Sequence, residues 1–267
     1  MGADIKSLRS RIRSVDSTLH LTKAMGLVAA SKIRRATRTM SQSREYASAM
    51  DDVVSVLSSS PECARTPYMQ PKGEGTRLIV IAGDRGLAGG YNANVFRLAA
   101  TEPDAEIIPI GKRACERWGT PVVSSEKYPA TQAKELADGL CRDFQEGKFG
   151  RLGILYTKYR SMMSQEATLL WVLPLSKNEE KAEGAAPVFE PDEQTVLNAA
   201  VPTYVSGLLT ACVRASYACE VAARRMAMDS AGKNAQEMID NLQLQYNRAR
   251  QNSITQEITE IVAGSGL

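Results

Sequence analysis

From Ala3 to about Ser58 the chain carries no proline and repeats an apolar or small residue at alternating spacings of three and four. The positions are Ile5, Leu8, Ile12, Val15, Leu19, Thr22, Gly26, Ala29, Ile33, Ala36, Met40, Ser43, Ala47, Met50, Val54 and Leu57. A 3.5-residue repeat held over roughly eight heptads predicts a coiled-coil helix, because an ideal helix drifts off such a seam by about 20° per heptad. At about 1.5 Å per residue it would run about 80 Å, too far to fold back inside one compact domain. Between Thr22 and Ala36 the seam is small rather than leucine-rich. Two helices can approach closely there, with less burial per residue. Either a further partner packs around this stretch or it is a site of local tight packing.

The last segment, Thr203 to about Ala263, repeats the pattern with Val205, Leu208, Cys212, Ala215, Cys219, Ala222 and Met226. The phase falters across Asp229 to Asn234, and a second apolar set follows from Met238 to Val262 before Gly264 and Gly266 stop the helix. Between the two helices the pattern changes. Arg77–Ala82, Glu106–Ile110, Val122–Val123, Leu152–Tyr159 and Thr168–Leu175 read as strands, and Asn92–Ala100, Lys112–Trp118 and Gln132–Gln145 as helices. Strands alternating with helices imply a mostly parallel sheet. Ser176 to Pro191, rich in charge, proline and glycine, reads as an exposed loop. Long helices at both ends can pair only if the chain reverses between them. The expected fold is therefore a long antiparallel coiled coil of the N- and C-terminal helices with a Rossmann-like α/β domain inserted, divided at residues 1–60, 61–202 and 203–267.

Composition narrows the chemistry. The net charge of +3 does not point to nucleic acid, but basic residues crowd the first fifty positions, where Lys6, Arg9, Arg11, Arg13, Lys23, Lys32, Arg34, Arg35, Arg38 and Arg44 face only Asp4, Asp16 and Glu45. That end should seek an acidic partner surface. Five cysteines without C-x-x-C spacing argue against a disulfide framework and a zinc knuckle. Cys212 and Cys219, about 10 Å apart along one helix, read as small core residues. The longest apolar run, Leu169 to Leu175, is far short of the roughly 20 residues that cross a bilayer.

Three features invite a chemical reading. The strand Arg77–Ala82 runs into Gly83-Asp84-Arg85-Gly86-Leu87-Ala88-Gly89-Gly90-Tyr91-Asn92 and then a helix, the layout of a phosphate-cradling turn. Its spacing matches neither G-x-G-x-x-G nor the G-K-[ST] ending, so a tight strand-to-helix turn is the competing reading. His20, the single histidine, lies beside the seam with no nucleophile or ligand pattern near it, as a solvated helix-face residue would. The stripe Lys32, Arg34, Arg35 and Arg38 lacks the interleaved aromatics of a single-strand nucleic-acid binder. The C-terminal set Arg248, Arg250, Gln251, Asn252, Gln256 and Glu257 beside Ile254, Ile258 and Ile261 fits a helix engaged on more than one side, or one packing once on its partner.

Three runs of residues resemble ATP synthase gamma subunits: Leu21-Thr22-Lys23-Ala24-Met25-Gly26-Leu27-Val28-Ala29-Ala30-Ser31-Lys32-Ile33, Asp84-Arg85-Gly86-Leu87 with Gly89, Gly90 and Asn92, and Tyr246 through Gly264. The resemblance spans essentially the whole chain. It implies a non-catalytic rotor shaft, without cofactor or metal, inside a ring of three alpha and three beta subunits. The inserted domain would meet epsilon and the c-subunit ring at the cytoplasmic face of a bacterial membrane, as a peripheral subunit with no membrane insertion and no nucleic-acid partner. Rotation driven by a proton or sodium gradient would reach the beta subunits through it. The resemblance places Lys23 and Met25 near a beta-subunit lever loop and Arg250 and Gln251 at a beta-subunit catch loop. It places Gln256, Thr259 and Glu260 against the N-terminal helix. Two positions depart from the family: Gly26, where many relatives carry a charge and where glycine costs about 1 kcal/mol relative to alanine, and Ala88, where cysteine is common. No transit-type leader and no redox insertion of the chloroplast kind are expected. A nucleotide-dependent enzyme using the glycine turn and a nucleic-acid adaptor using the basic stripe stand as alternatives.

Overall fold

The computed structural model describes residues 2–176 and 188–264. In chain order they form α1 (Gly2–Ser59), a 3-10 turn (Pro61–Arg65), β1 (Thr76–Ile81), α2 (Tyr91–Ala99), β2 (Glu106–Ile110), α3 (Lys112–Trp118), α4 (Ala130–Gln145), β3 (Arg151–Tyr159), β4 (Gln165–Leu173) and α5 (Glu193–Gly264). The chain divides into two compact units, Met1–Ala30 with Arg224–Leu267, and Ser31–Ala223.

In the first unit α1 and α5 pair antiparallel. Gly26 faces Met228, Gly232 faces Thr22, and Leu19, Ala235 and Ile239 form a small apolar cluster. Four residues forward on α1 match four back on α5. The close approach expected of the small seam is present, since a Cβ built on Gly26 would lie 3.6 Å from that of Met228. Through Asp229–Asn234, where the sequence phase falters, α5 stays helical.

In the second unit the same antiparallel sense holds, with Tyr46 against Gly207 and the Tyr204 hydroxyl donating to Asp51 at 3.1 Å. The sheet order is β2-β1-β3-β4. β1 runs parallel to β2 and β3, and β4 pairs antiparallel with β3. At its central strands, β1 and β3, the sheet is buried on both faces, which explains why β1 reads as an uninterrupted apolar run. Ile79 and Ile81 enter the main core with Phe144 of α4, Val54 and Leu57 of α1, and Leu197, Val201 and Val205 of α5. Leu78 and Val80 point the other way, to Val95 and Ala99 of α2 and Ala114 of α3. All five cysteines are free and buried. Burial pushes the Cys141 and Cys219 thiols up to about 12, so they behave as small apolar residues.

Three expectations change. Val122–Val123 is not a strand: the Gly111 amide donates to the Val123 carbonyl at 2.9 Å, and the Val123 amide donates to Cys115 Sγ at 3.4 Å rather than to a neighbouring strand. The segment is too short, directly after Pro121, to build a register. Secondly, α5 starts at Glu193 rather than Thr203, and Pro202 lies inside it. An interior proline costs about 3 kcal/mol, offset here by burial of Leu197, Val201 and Val205 on either side. Asp192 caps the helix, taking the Thr195 amide at 2.8 Å and its hydroxyl at 2.7 Å. Finally, α5 contains an 18-residue window of mean hydropathy 1.5, apolar enough to cross a bilayer by composition, although 44% of it is buried within this chain. Part of that apolar content is core-facing. Most of the expected Ser176–Pro191 loop lies outside the described residues.

Gly111, between β2 and α3, has φ +100°, and a Cβ there would fall 2.0 Å from the Ala82 carbonyl oxygen. Gly111→Ala is expected to lower unfolding free energy by about 3 kcal/mol, combining left-handed strain with a backbone clash. Chemical denaturation of the two proteins measures it; an unchanged midpoint would contradict the geometry.

Candidate functional site

The glycine-rich turn after β1 has the backbone of an anion cradle and an occupant from its own chain. Glu220 of α5, 1% exposed, sits in it. Its two carboxylate oxygens accept the Asp84 and Arg85 amides, each at 3.2 Å. Gly83 is glycine because of this close approach, since a Cβ there would lie 2.8 Å from the Glu220 carboxyl carbon. The Gly83 amide donates to Asn92 Oδ1 at 2.9 Å, so it is also engaged. The first three amides of the turn, which could otherwise face an anion, are thus taken by a carboxylate and a side-chain amide of the chain itself.

Asp84 organises the far side of the turn. Its carboxylate accepts the Lys112 amide at 3.0 Å, the Ser124 hydroxyl at 2.6 Å and the Ser125 and Glu126 amides at 2.9 Å each, pinning the 119–129 connection to the start of α3. Partial burial would raise its pKa, but these four hydrogen bonds prevail and hold it below the ordinary carboxylate value. Glu126 then faces Lys32 of α1 at 2.7 Å and the Tyr217 hydroxyl of α5 at 2.9 Å, with Arg85 at 4.0 Å. The hydrogen bond from Lys32 is the main cause that keeps the Glu126 carboxyl low. One member of the basic stripe is thereby tied to the chain's own carboxylate. On the outer side, Leu87 holds φ 60 and is 62% exposed, an uncommon conformation for a leucine.

The residues to which the family resemblance assigns coupling all belong to the first unit, in separate places. Lys23 is exposed on the rim of a groove of about 470 Å³ that Thr22, Gly26, Arg225 and Met228 also line, and Met25 is half-buried. The Arg225 guanidinium donates to the Gly26 carbonyl at 3.0 Å, bracing α1 at its glycine. Arg250 and Gln251 are exposed on α5, and with α5 residues 228–232 facing Thr22–Gly26 they stand about 30 Å along the helix from Lys23. Gln256 donates to Glu260 at 2.9 Å and Thr259 to the Thr255 carbonyl at 2.8 Å, both within α5. All three are exposed. His20 lies 3.8 Å from Asp16, its side chain 75% exposed, as a solvated residue. Among the described residues no cluster of three metal-ligating side chains occurs.

Sequence reasoning missed Glu220 and Glu126. The signal for Glu220 was present as a single carboxylate inside the apolar run Ala218 to Ala223, which in a core helix demands a buried partner. Glu126 had none, being one more charge in a loop.

Terminal helices paired antiparallel within each unit, with a mixed-sheet domain inserted between them in sequence, define a stalk-type fold, and the protein's own Glu220 occupies part of the glycine turn. Comparison with known proteins agrees. The family model described as ATP synthase matches residues 4–266. The chain is 37% identical over 281 residues to the ATP synthase gamma chain of Ruminococcus albus, covering 98% of each. It is 34% identical over 298 residues to the ATP synthase gamma chain, sodium ion specific, of Acetobacterium woodii, covering 99% of each. Among solved structures it is similar to a chain of the Euglena gracilis mitochondrial ATP synthase OSCP/F1/c-ring assembly, at TM-score 0.67, 17% identity and coverage of 100% and 97%. A chain of the Tetrahymena thermophila mitochondrial central stalk and c-ring gives TM-score 0.61 at 19% identity, covering 79% and 99%; these two likenesses bear on the fold. The chain belongs to the ATP synthase gamma chain family, the central-stalk rotor subunit of the F-type enzyme.

Asp84→Asn is expected to cost about 2 kcal/mol at pH 7, since the amide both loses charge and turns a donor toward donors. Because the folded carboxyl pKa is depressed, the wild-type advantage is complete above the ordinary value of 3.8 and fades as pH falls through the lower folded value. Urea titrations at pH 7 and pH 3 test it; a deficit that stays constant to pH 3 would contradict the assignment.

Proposed function

We propose that this chain is the non-catalytic shaft of an F-type ATP synthase at the cytoplasmic face of a bacterial membrane. It turns within three alpha and three beta subunits and receives torque from a c-subunit ring, with epsilon beside the inserted domain. In this reading residues 1–60 and 203–267 form the shaft and 61–202 the domain that takes up torque. A pair of helices has no threefold symmetry, so it offers each of three like beta subunits a different surface. Only such differential contact can hold them in different nucleotide affinities. A proton or sodium gradient drives synthesis through the shaft, and the shaft's position governs ATPase activity.

The observation that supports this most is the end of α5. Ile254, Ile258, Ile261 and Val262 are 43%, 56%, 70% and 58% exposed, interleaved with the exposed polar residues Arg250, Gln251, Gln256, Thr259 and Glu260. A single helix end that is apolar on an uncovered side fits a bearing made by other subunits. Lys23 and Met25 would meet the beta-subunit lever loop and Arg250 and Gln251 the catch loop, while Gln256, Thr259 and Glu260 would interact with the N-terminal helix.

Co-expression with cognate alpha and beta subunits is expected to give a complex with three copies of each, whose ATP turnover rises on including this chain while the chain alone is inactive. Separate elution together with nucleotide binding would overturn the reading. Truncation after Tyr246 is expected to weaken assembly and to lower ATP-driven ion pumping at least about fivefold, the low end of inter-site coupling effects. Undiminished pumping would remove the tip from the mechanism.

A further inference from the structure

Between the inserted domain and α5, most of the contact is apolar. Leu197, Val201, Val205, Leu209 and Val213 enter the main core. Apolar burial is non-directional: it resists pulling the helix away but does little to fix its rotation about its own axis. Directional bonds are densest in one turn of α5, Ser216–Glu220, just past Arg214, whose guanidinium donates to the Tyr128 carbonyl at 3.3 Å. The Tyr91 hydroxyl donates to the Ser216 carbonyl at 2.9 Å, and the Thr157 amide of β3 donates to the Ser216 hydroxyl at 3.1 Å. Tyr217 donates to Glu126, Cys219 Sγ to the Thr157 carbonyl at 3.4 Å, and Glu220 fills the glycine turn. Four separate segments of the domain thus grip four of the five residues Ser216–Glu220 of one helix.

We infer that this turn is the rotational key through which torque passes between the inserted domain and the C-terminal helix, with the Glu220 carboxylate in the Gly83–Arg85 turn as its central positioning group. The inference rests on the rotor reading above. Glu220 suits the task because its carboxylate is held by two amides of a turn whose own ends are fixed by Asp84 and Asn92. It is also desolvated, so the bonds are not exchanged for water. Rotating α5 by one residue would swing the carboxylate about 100° out of the turn and leave both charge and amides unpaired.

The test uses the assembled enzyme in vesicles, reading ATP hydrolysis and ATP-driven ion uptake separately. Glu220→Gln keeps the shape but turns an NH2 toward one of the two amides. Hydrolysis is expected to stay within about twofold of wild type, while ions moved per ATP fall about fivefold. Glu220→Ala is expected to lose coupling likewise and to regain part of it in formate, whose carboxylate can enter the emptied turn, but not in chloride. Should Glu220→Gln fail to assemble, Tyr91→Phe decides, since it removes one directional bond and keeps the packing; a reduced ion-to-ATP ratio is expected there too. Wild-type ratios in whichever of these variants assemble would overturn the key. Failure of the wild-type chain to assemble or pump would instead sink the rotor reading itself.

Discussion

The antiparallel pairing of α1 with α5 constrains everything between them, because the inserted domain must return the chain to the place where it left. The structure meets this at the domain's mouth. The Ser60 hydroxyl, just past α1, bonds to Glu193 at the start of α5, and the Gln194 side chain donates to the Glu62 carbonyl at 2.6 Å. The Ser58 hydroxyl reaches the Ser176 carbonyl, beyond β4, at 3.3 Å. A mixed sheet suits this closure. Three parallel strands need crossovers that carry the chain back each time, and the antiparallel β4 then reverses it once more.

Within the domain, the work that many α/β folds assign to a bound phosphate is done by carboxylates of the chain. Asp84 and Glu220 take backbone amides, and Glu126 takes Lys32 and Tyr217. Exposed pairs such as Lys233 with Asp229 at 3.2 Å contribute little, because solvent screens them and side-chain entropy opposes them. A buried carboxylate differs in kind. Placing it in the core is costly, so its value lies in specifying one arrangement, and the penalty for losing a partner exceeds the gain from making the bond.

The long helices and β1 were legible because their patterns are periodic or uniformly apolar, and periodicity survives without knowledge of the partner. The start of α5 was not. Pro202 reads as a boundary, and only the packing of Leu197 and Val201 into the sheet's core overrides it, although Pro191-Asp192-Glu193 carried a capping signal. Val122–Val123 has strand-like residues but no neighbour in register, which composition does not reveal. At the candidate site the glycine turn was visible and its chemistry was not, because what fills it lies more than a hundred residues away in sequence, at Glu220. The spatial separation of Lys23 from Arg250 likewise follows from helix register rather than from either motif.

The first unit inverts the usual arrangement of a self-sufficient coiled coil. Its buried seam holds Thr22, Gly26 and Ala29, while Leu21, Leu27 and Val28 on the same stretch of α1 are 59%, 68% and 54% exposed. Burial scales with apolar area, so a seam of small residues stabilises the pair less per turn than leucines would. The larger side chains on this stretch are displayed outward. Such a pair keeps its backbones close and braces the glycine with Arg225, and its remaining apolar area is available to surfaces that surround it. In the second unit the bulky apolar residues of the same helices, Leu57, Leu197 and Leu209, point inward to the sheet's core. On these stretches the same two helices bury small residues in the first unit and bulky apolar residues in the second.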